Sequence, residues 1–171
     1  MNSDHDLERF VAAQEARGTY ASAIAELRAG RKTGHWMWFV FPQIAGLGQS
    51  STSRRFAIRT VAEASAYLDH PVLGPRLIEC ARAVCDTSAR SAQDIFGPVD
   101  AQKLRSSMTL FMRTRSPEPA FAAVIDRYFD GQPDRATDER LALPPPVWAD
   151  GAAQRNPPAR ASGKDASSSA R

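Results

Sequence analysis

The sequence predicts an all-α fold: a single multihelical domain of about seven short helices over residues 1–143, followed by a disordered tail over 144–171. Three observations carry that expectation. Apolar residues recur at three- and four-residue spacing, Ser or Thr followed three positions later by an acid marks helix starts, and no segment shows sustained strand alternation. With 171 residues and 43% hydrophobic content, the chain is long enough to bury one core.

Taken in order, Leu7, Phe10, Val11 and Gln14 define one face of a first helix. Tyr20, Ile24 and Leu27 define a second, which stops at Gly30. The run "WMWFVF", Trp36 to Phe41, is apolar at every position, so its period cannot separate a buried extended strip from a buried helical turn. Pro42 ends it either way. Thr60 with Glu63 reads as a capping box opening a helix that ends at Pro71. Pro75 is expected at the first position of the next helix, which turns Leu77, Cys80, Ala81 and Val84 inward. Ser91 and Asp94 repeat the capping pattern before Gly97 breaks the helix, and Leu104, Met108 and Phe111 form the stripe of its successor. Ser116 and Pro117 are expected to open a last helix with Phe121, Val124, Ile125, Tyr128 and Phe129 inward, closed by Gly131. From Pro144 the chain is rich in Pro, Ala, Ser and Gly with no hydrophobic period, and Trp148 is its one apparent anchor.

The formal charge is +3 and the pI about 9.2. The tail holds Arg155, Arg160, Lys164 and Arg171 against Asp150 and Asp165, a balance of +2 that leaves only +1 for the body. A basic field spread over a folded face is therefore not supported, and nucleic acid is a possible but not a favoured partner. No apolar stretch approaches the roughly 18 residues of a membrane span, and Met1 to Glu8 is polar where a signal peptide would be basic and then apolar. The expected location is cytoplasmic. Cys80 and Cys85, five apart on one helix, are too far separated for a disulfide and are expected to be reduced. Three scattered histidines and no CxxC pair give no metal-ligand spacing, so no metal or other cofactor is expected.

Two polar constellations are candidates for chemistry. Arg31, Lys32 and His35 precede the aromatic run, and Gln43, Gly46, Gly48, Gln49 and Ser50 follow it. Glycines beside free N–H donors and a basic side chain can cradle phosphate, although the same residues also read as a turn next to a solvated basic helix end. Lys103 and Ser106 lie three apart, with Ser107 adjacent, where their helix becomes apolar. These serines either bond backbone carbonyls or line a pocket. Neither has the GxSxG context of a nucleophile. Glu8 reads as a surface carboxylate unless it projects into an apolar cleft, where it would serve as a general acid or base.

The segments "LERFVAAQ", "AIAELRAGRKTGHWMWFVFPQIAGLGQS", "EASAYLDHPVLGPRLIEC", "IFG" and "KLRSSMTLF" together resemble the domain of unknown function 1810 family, some of whose members carry a calpastatin label. The resemblance covers residues 5 to about 141 and implies an all-helical bacterial protein without supplying an activity. A fainter similarity links the chain to the NADAR families, helical proteins associated with ADP-ribose and with cleavage of N-glycosidic bonds. Their "EHYFQAQK" helix is similar to "ERFVAAQE", which places their Glu on Glu8 and their second Gln on Gln14. Their "WG…GKNxLGxLLM" segment is similar to "FG…KLRSSMTLFM", which sets Phe96, Gly97, Lys103 and Ser106 in pocket positions. The chain departs from that pattern at Glu15, Ser106 and Thr109, which stand where those families have Lys, Asn and Gly.

The resemblance implies a cleft between the first helix, the 35–50 segment and the 97–107 segment, suited to an anionic nucleotide-type ligand such as an ADP-ribosyl group. Lys32, Lys103 and the backbone near Gly46 and Gly48 would hold phosphate, and Trp36 or Trp38 would stack a ring. His35, Gln43, Ser50 and Ser107 would complete the lining. Glu8 would act at ribosyl C1 as in an N-glycosidic hydrolase, with Gln14 orienting a hydroxyl or water. The alternative is a non-enzymatic module that contacts protein or nucleic acid through Ser53, Arg54, Arg55 and Phe56. The oligomeric state is left open.

Overall fold

The computed structural model describes residues 5–144. Within them the chain forms α1 (Glu8–Glu15), a 3-10 turn (Ala16–Gly18), α2 (Thr19–Arg28), α3 (Met37–Val40), α4 (Ser51–Arg55), α5 (Val61–Asp69), α6 (Leu73–Asp86), α7 (Ala92–Met112), α8 (Pro119–Tyr128) and α9 (Arg135–Leu141). No strand occurs among the described residues, where extended pairing is limited to an isolated parallel bridge between Ile44 and Ile58. The all-α expectation holds. The expected tail, Pro144 aside, falls outside the described residues.

Side-chain caps open four of the nine α-helices among the described residues, α4, α5, α7 and α9. Ser91 Oγ accepts from the Asp94 N–H at 3.1 Å while Asp94 accepts from the Ser91 N–H at 3.0 Å, the reciprocal pair expected at the start of α7. Thr60 caps α5 by accepting from the Glu63 N–H. Glu63 does not complete the box, because its carboxylate turns to the Arg59 N–H and the Arg9 guanidinium. Two expected starts shift. Leu73 opens α6, leaving Pro75 in the third position, which still lies within the first turn where no intrahelical N–H is required. Glu118 and Pro119 open α8 in place of Ser116 and Pro117, since Pro119 also suits a first helical position.

The aromatic run resolves as helix. Met37 and Val40, three apart, face inward on α3, while Trp38 and Phe39 are half-buried. Phe41 leaves the helix at φ −124°, ψ 71°, as the following Pro42 requires. Around this turn a line of rings crosses the core, with centroids 5.1 Å apart for Phe10 and Tyr67, 5.4 Å for Tyr67 and Phe111, and 5.8 Å for Phe111 and Phe121. The stripe of α7 (Leu104, Met108 and Phe111) is fully buried, and α8 packs against both α6 and α7.

Two buried polar devices fasten helices to this core. Glu63 is fully buried and accepts from Arg9 at 2.8 Å. Arg9 also donates to the carbonyls of Arg55 and Ala57, so a single ion pair joins α1, α5 and the segment between α4 and α5. At the other end, the Asp134 carboxylate accepts from the Ser106 hydroxyl (2.9 Å), the Thr137 hydroxyl (2.6 Å), the Thr137 N–H (3.0 Å) and the Gln102 amide (2.9 Å). It therefore caps α9 and latches that helix onto α7. Cys80 is buried and Cys85 half-buried, both as free thiols.

Candidate functional site

The 29–36 loop is held by an acid that its own sequence pattern does not advertise. Glu26, on α2, accepts through one oxygen from the Thr33 N–H (2.8 Å), the Gly34 N–H (3.0 Å) and the Trp36 indole N–H (2.9 Å). Burial pushes its carboxyl upward, but hydrogen bonds from Gly34, Thr33 and Trp36 outweigh burial and hold it below the ordinary carboxylate range. The Lys32 N–H donates to the Ile95 carbonyl at 2.8 Å, which ties the same loop to the first turns of α7.

That loop delivers Lys32 to a cluster built with α3 and α7. Lys32 Nζ lies 2.9 Å from one oxygen of Asp100, and Lys103 Nζ lies 3.1 Å from the other. Each ammonium also sits over an indole: Lys32 is 5.0 Å from the ring of Trp36, and Lys103 is 4.9 Å from the ring of Trp38. Burial raises the Asp100 carboxyl, but the hydrogen bonds and charge of the two lysines prevail and keep it below its ordinary range. The trio carries a net positive charge at neutral pH, two cations around one anion. Trp36 is fully buried, so the half-buried Trp38 is the ring with an open edge.

The backbone bends where this cluster begins. Gly97 adopts φ 75°, ψ 169° inside α7, a conformation essentially confined to glycine, with Pro98 next to it. The bend separates the opening turn, anchored by Phe96 against Phe41 at 6.1 Å, from the turn that carries Asp100 and Lys103.

The structure thus brings together Lys32, Trp36, Trp38, Phe96, Gly97 and Lys103, six of the expected residues, and adds Asp100. Gln14 comes near them: its amide donates to the Phe39 carbonyl (2.8 Å) and Tyr67 hydroxyl (3.2 Å) and accepts from Arg76 (3.3 Å). It is 2% exposed, and these bonds make it a brace for α3. Glu8 lies apart. Its side chain is 82% exposed and reaches no nearer than 3.7 Å to His70 Nε2. His35 and Ser50 are exposed; Ser50 caps α4 by accepting from the Ser53 N–H. Gln43 is half-buried, and its carbonyl accepts from the Ile58 N–H at 2.9 Å.

Gly46 and Gly48 have packing reasons to be glycine. A Cβ on Gly46 would lie 2.5 Å from Arg140 Nε, and one on Gly48 2.3 Å from Ser53 Cβ. Arg140 fills the first space in order to donate to the Ala45 carbonyl. Of the two serines, Ser106 bonds the Gln102 carbonyl (3.1 Å) and Asp134, so it belongs to the α9 latch. Ser107 is fully buried, and its hydroxyl has no hydrogen-bond partner.

Two residues that build the site, Asp100 and Glu26, are not among the candidates that the sequence singles out. Asp100 had an available signal, since it stands one turn before Lys103 at helical spacing and just past a helix break. Glu26 had none, because a Glu inside a helix ordinarily faces water. Among the described residues, no group of three or more His, Cys, Asp or Glu is placed to hold a metal ion, and no helix is long and apolar enough to cross a membrane.

Fold and site together define an all-helical protein in which two lysines from distant segments share one carboxylate above a pair of indoles. The chain belongs to the family described as Protein of unknown function (DUF1810), whose model matches residues 4–141. It is similar to the crystal structure of the conserved hypothetical protein Rv1873 from Mycobacterium tuberculosis, with 50% identity and a TM-score of 0.79 over 82% of this chain and 99% of that one. A comparison with curated proteins gave no match.

Proposed function

We propose that this protein binds an anionic nucleotide-type ligand, of the ADP-ribosyl class, at the cluster of Lys32, Asp100, Lys103 and Trp38. The observation that supports the reading is the convergence of two ammonium groups on a single carboxylate, each over an indole face. A phosphate competes for both lysines, and an aromatic base or a sugar face takes the position that Lys103 now holds over Trp38. Trp36 stays fixed by Glu26 as the floor. Cleavage of an N-glycosidic bond requires a carboxylate at the ribosyl carbon, and the exposed side chain of Glu8 gives that step no support. The reading is therefore one of binding.

Calorimetric titration of ADP-ribose into the wild type, Glu8→Gln and Lys103→Ala tests it. The wild type and Glu8→Gln are expected to bind alike, with Lys103→Ala weakened about tenfold or more by loss of a charge-assisted contact. Affinity should fall only modestly between low and moderate salt, unlike the steep loss that accompanies release of counterions from nucleic acid. Absence of binding to the wild type rejects the ligand class.

A further inference from the structure

Resting on the reading that Lys103 and Trp38 hold the ligand, we infer that the Ser107 hydroxyl is the inner contact of the same site and receives a ribosyl group attached to the bound phosphate. Ser107 is fully buried and its Oγ has no partner, whereas its polar neighbours on α7 are all satisfied. Ser106 donates to the Gln102 carbonyl at 3.1 Å and Thr109 to the Arg105 carbonyl at 2.8 Å, the usual recourse of a hydroxyl inside a helix. The Ser107 hydroxyl does not take that recourse. A buried donor left unmatched is costly, and such groups mark places where a water or ligand completes the bonding.

The helical register shows where Ser107 faces. Asp100, Lys103, Ser107 and Phe111 follow one another at spacings of three and four and so share one stripe of α7. The outer end of that stripe covers Trp38 through Lys103. Its inner end meets Tyr67 through Phe111, at 5.4 Å between ring centroids. Tyr67 in turn donates to the carbonyl of Phe39, the residue after Trp38, at 3.4 Å. Ser107 is thus flanked on both sides by positions that meet the Trp38–Phe39 turn, directly or through Tyr67. Ser107 lies four residues, about one turn and 6 Å of helix rise, beyond Lys103 on that stripe.

Lys103 stands at the outer end of this stripe, over Trp38, and its long side chain is the part able to move when a phosphate draws the ammonium off the indole. A ribose hydroxyl then both donates to and accepts from Ser107 Oγ, which a bare phosphate cannot reach. The ligand is accordingly bipartite, anionic at the lysines and neutral and hydroxylated within.

The test is titration of inorganic phosphate and of ribose 5-phosphate into the wild type and Ser107→Ala, with thermal melting of both proteins. The wild type is expected to prefer ribose 5-phosphate by about tenfold, and Ser107→Ala to lose most of that preference while binding phosphate unchanged. Its melting temperature should equal or exceed that of the wild type. Retention of the full preference by Ser107→Ala overturns the inference and leaves the lysine site standing. So does equal binding of the two ligands by the wild type. A melting temperature lowered by more than about 3 °C overturns it too, by showing that the hydroxyl serves the fold. If the wild type binds neither ligand, both this inference and the site reading fall.

Discussion

Replacing Glu26 should unseat the loop that carries Lys32 and loosen the indole beneath it. One oxygen of this side chain accepts three N–H groups, and the Trp36 indole belongs to a residue only 1% exposed. In Glu26→Ala the indole N–H is left buried without a partner, at a cost of about 1–3 kcal/mol, while the two loop N–H groups recover part of their loss by hydration. A total near 3 kcal/mol corresponds to a melting temperature lower by about 9 °C for a domain of this size. Glu26→Gln keeps an acceptor of the same reach without the charge, and neutral acceptors are about half as strong, so roughly 1–2 kcal/mol is expected. The pH dependence has a definite sign. Because the folded carboxyl sits below its ordinary value of 4.5, its contribution is complete above that value and is lost as the pH falls through the lower, folded value. Thermal melts from pH 3 to pH 7, with indole fluorescence as a second signal, provide the assay. Glu26→Gln should melt earlier than the wild type at pH 7, and the difference should shrink toward pH 3. Equal melting of the three proteins at pH 7, or a difference that grows on acidification, refutes the reasoning.

Other outcomes follow from the same geometry. Asp134→Ala removes the cap of α9 and the partner of Ser106 and Thr137, all buried, and should cost about 3 kcal/mol in urea unfolding. Glu63→Ala leaves the Arg9 guanidinium, whose side chain is 10% exposed, without its counter-charge, and should cost about 3–5 kcal/mol by the same measurement. Gly97→Ala meets no steric obstacle but forces alanine to φ 75°, so a loss of about 1–3 kcal/mol is expected. Burial pushes the Cys80 thiol up to about 12, so at pH 8 a thiol reagent should leave Cys80 unmodified in the native protein and react with it readily in denaturant.

The parts of this fold that could be read from sequence are those in which one local signal determines one local structure. The capping pair Ser91 and Asp94, the stripe Leu104, Met108 and Phe111, and the break at Gly97 each specify their element without help from elsewhere. Helix α9 escaped notice because Arg135–Leu141 is polar on nearly every side, and Asp134, which caps it through Thr137, is fastened to the rest of the fold by Ser106 and Gln102 on the distant α7. Helix α4 is five residues long with no buried side chain, so it leaves no periodic trace. The site divides along the same line. Lys32, Trp38 and Lys103 were visible as basic and aromatic residues beside helix breaks, whereas Asp100 showed locally only its spacing to Lys103, and its pairing with Lys32 from a distant segment had no local trace. Glu8 and Arg9 show the limit of a helical wheel: adjacent on α1, one faces water and the other is drawn inward by Glu63, fifty-four residues away in sequence from Arg9.

The side-chain N–H resonances of the tryptophans give the most direct view of the central claim that the lysine and indole cluster receives an anionic ligand. In a titration of the ¹⁵N-labelled protein with ADP-ribose, the indole signal of Trp38 should move and saturate together with the amides around Lys103, with Trp36 moving less because Glu26 holds it. An unmoved Trp38 at saturating ADP-ribose, or shifts gathered on another face of the molecule, would contradict the account.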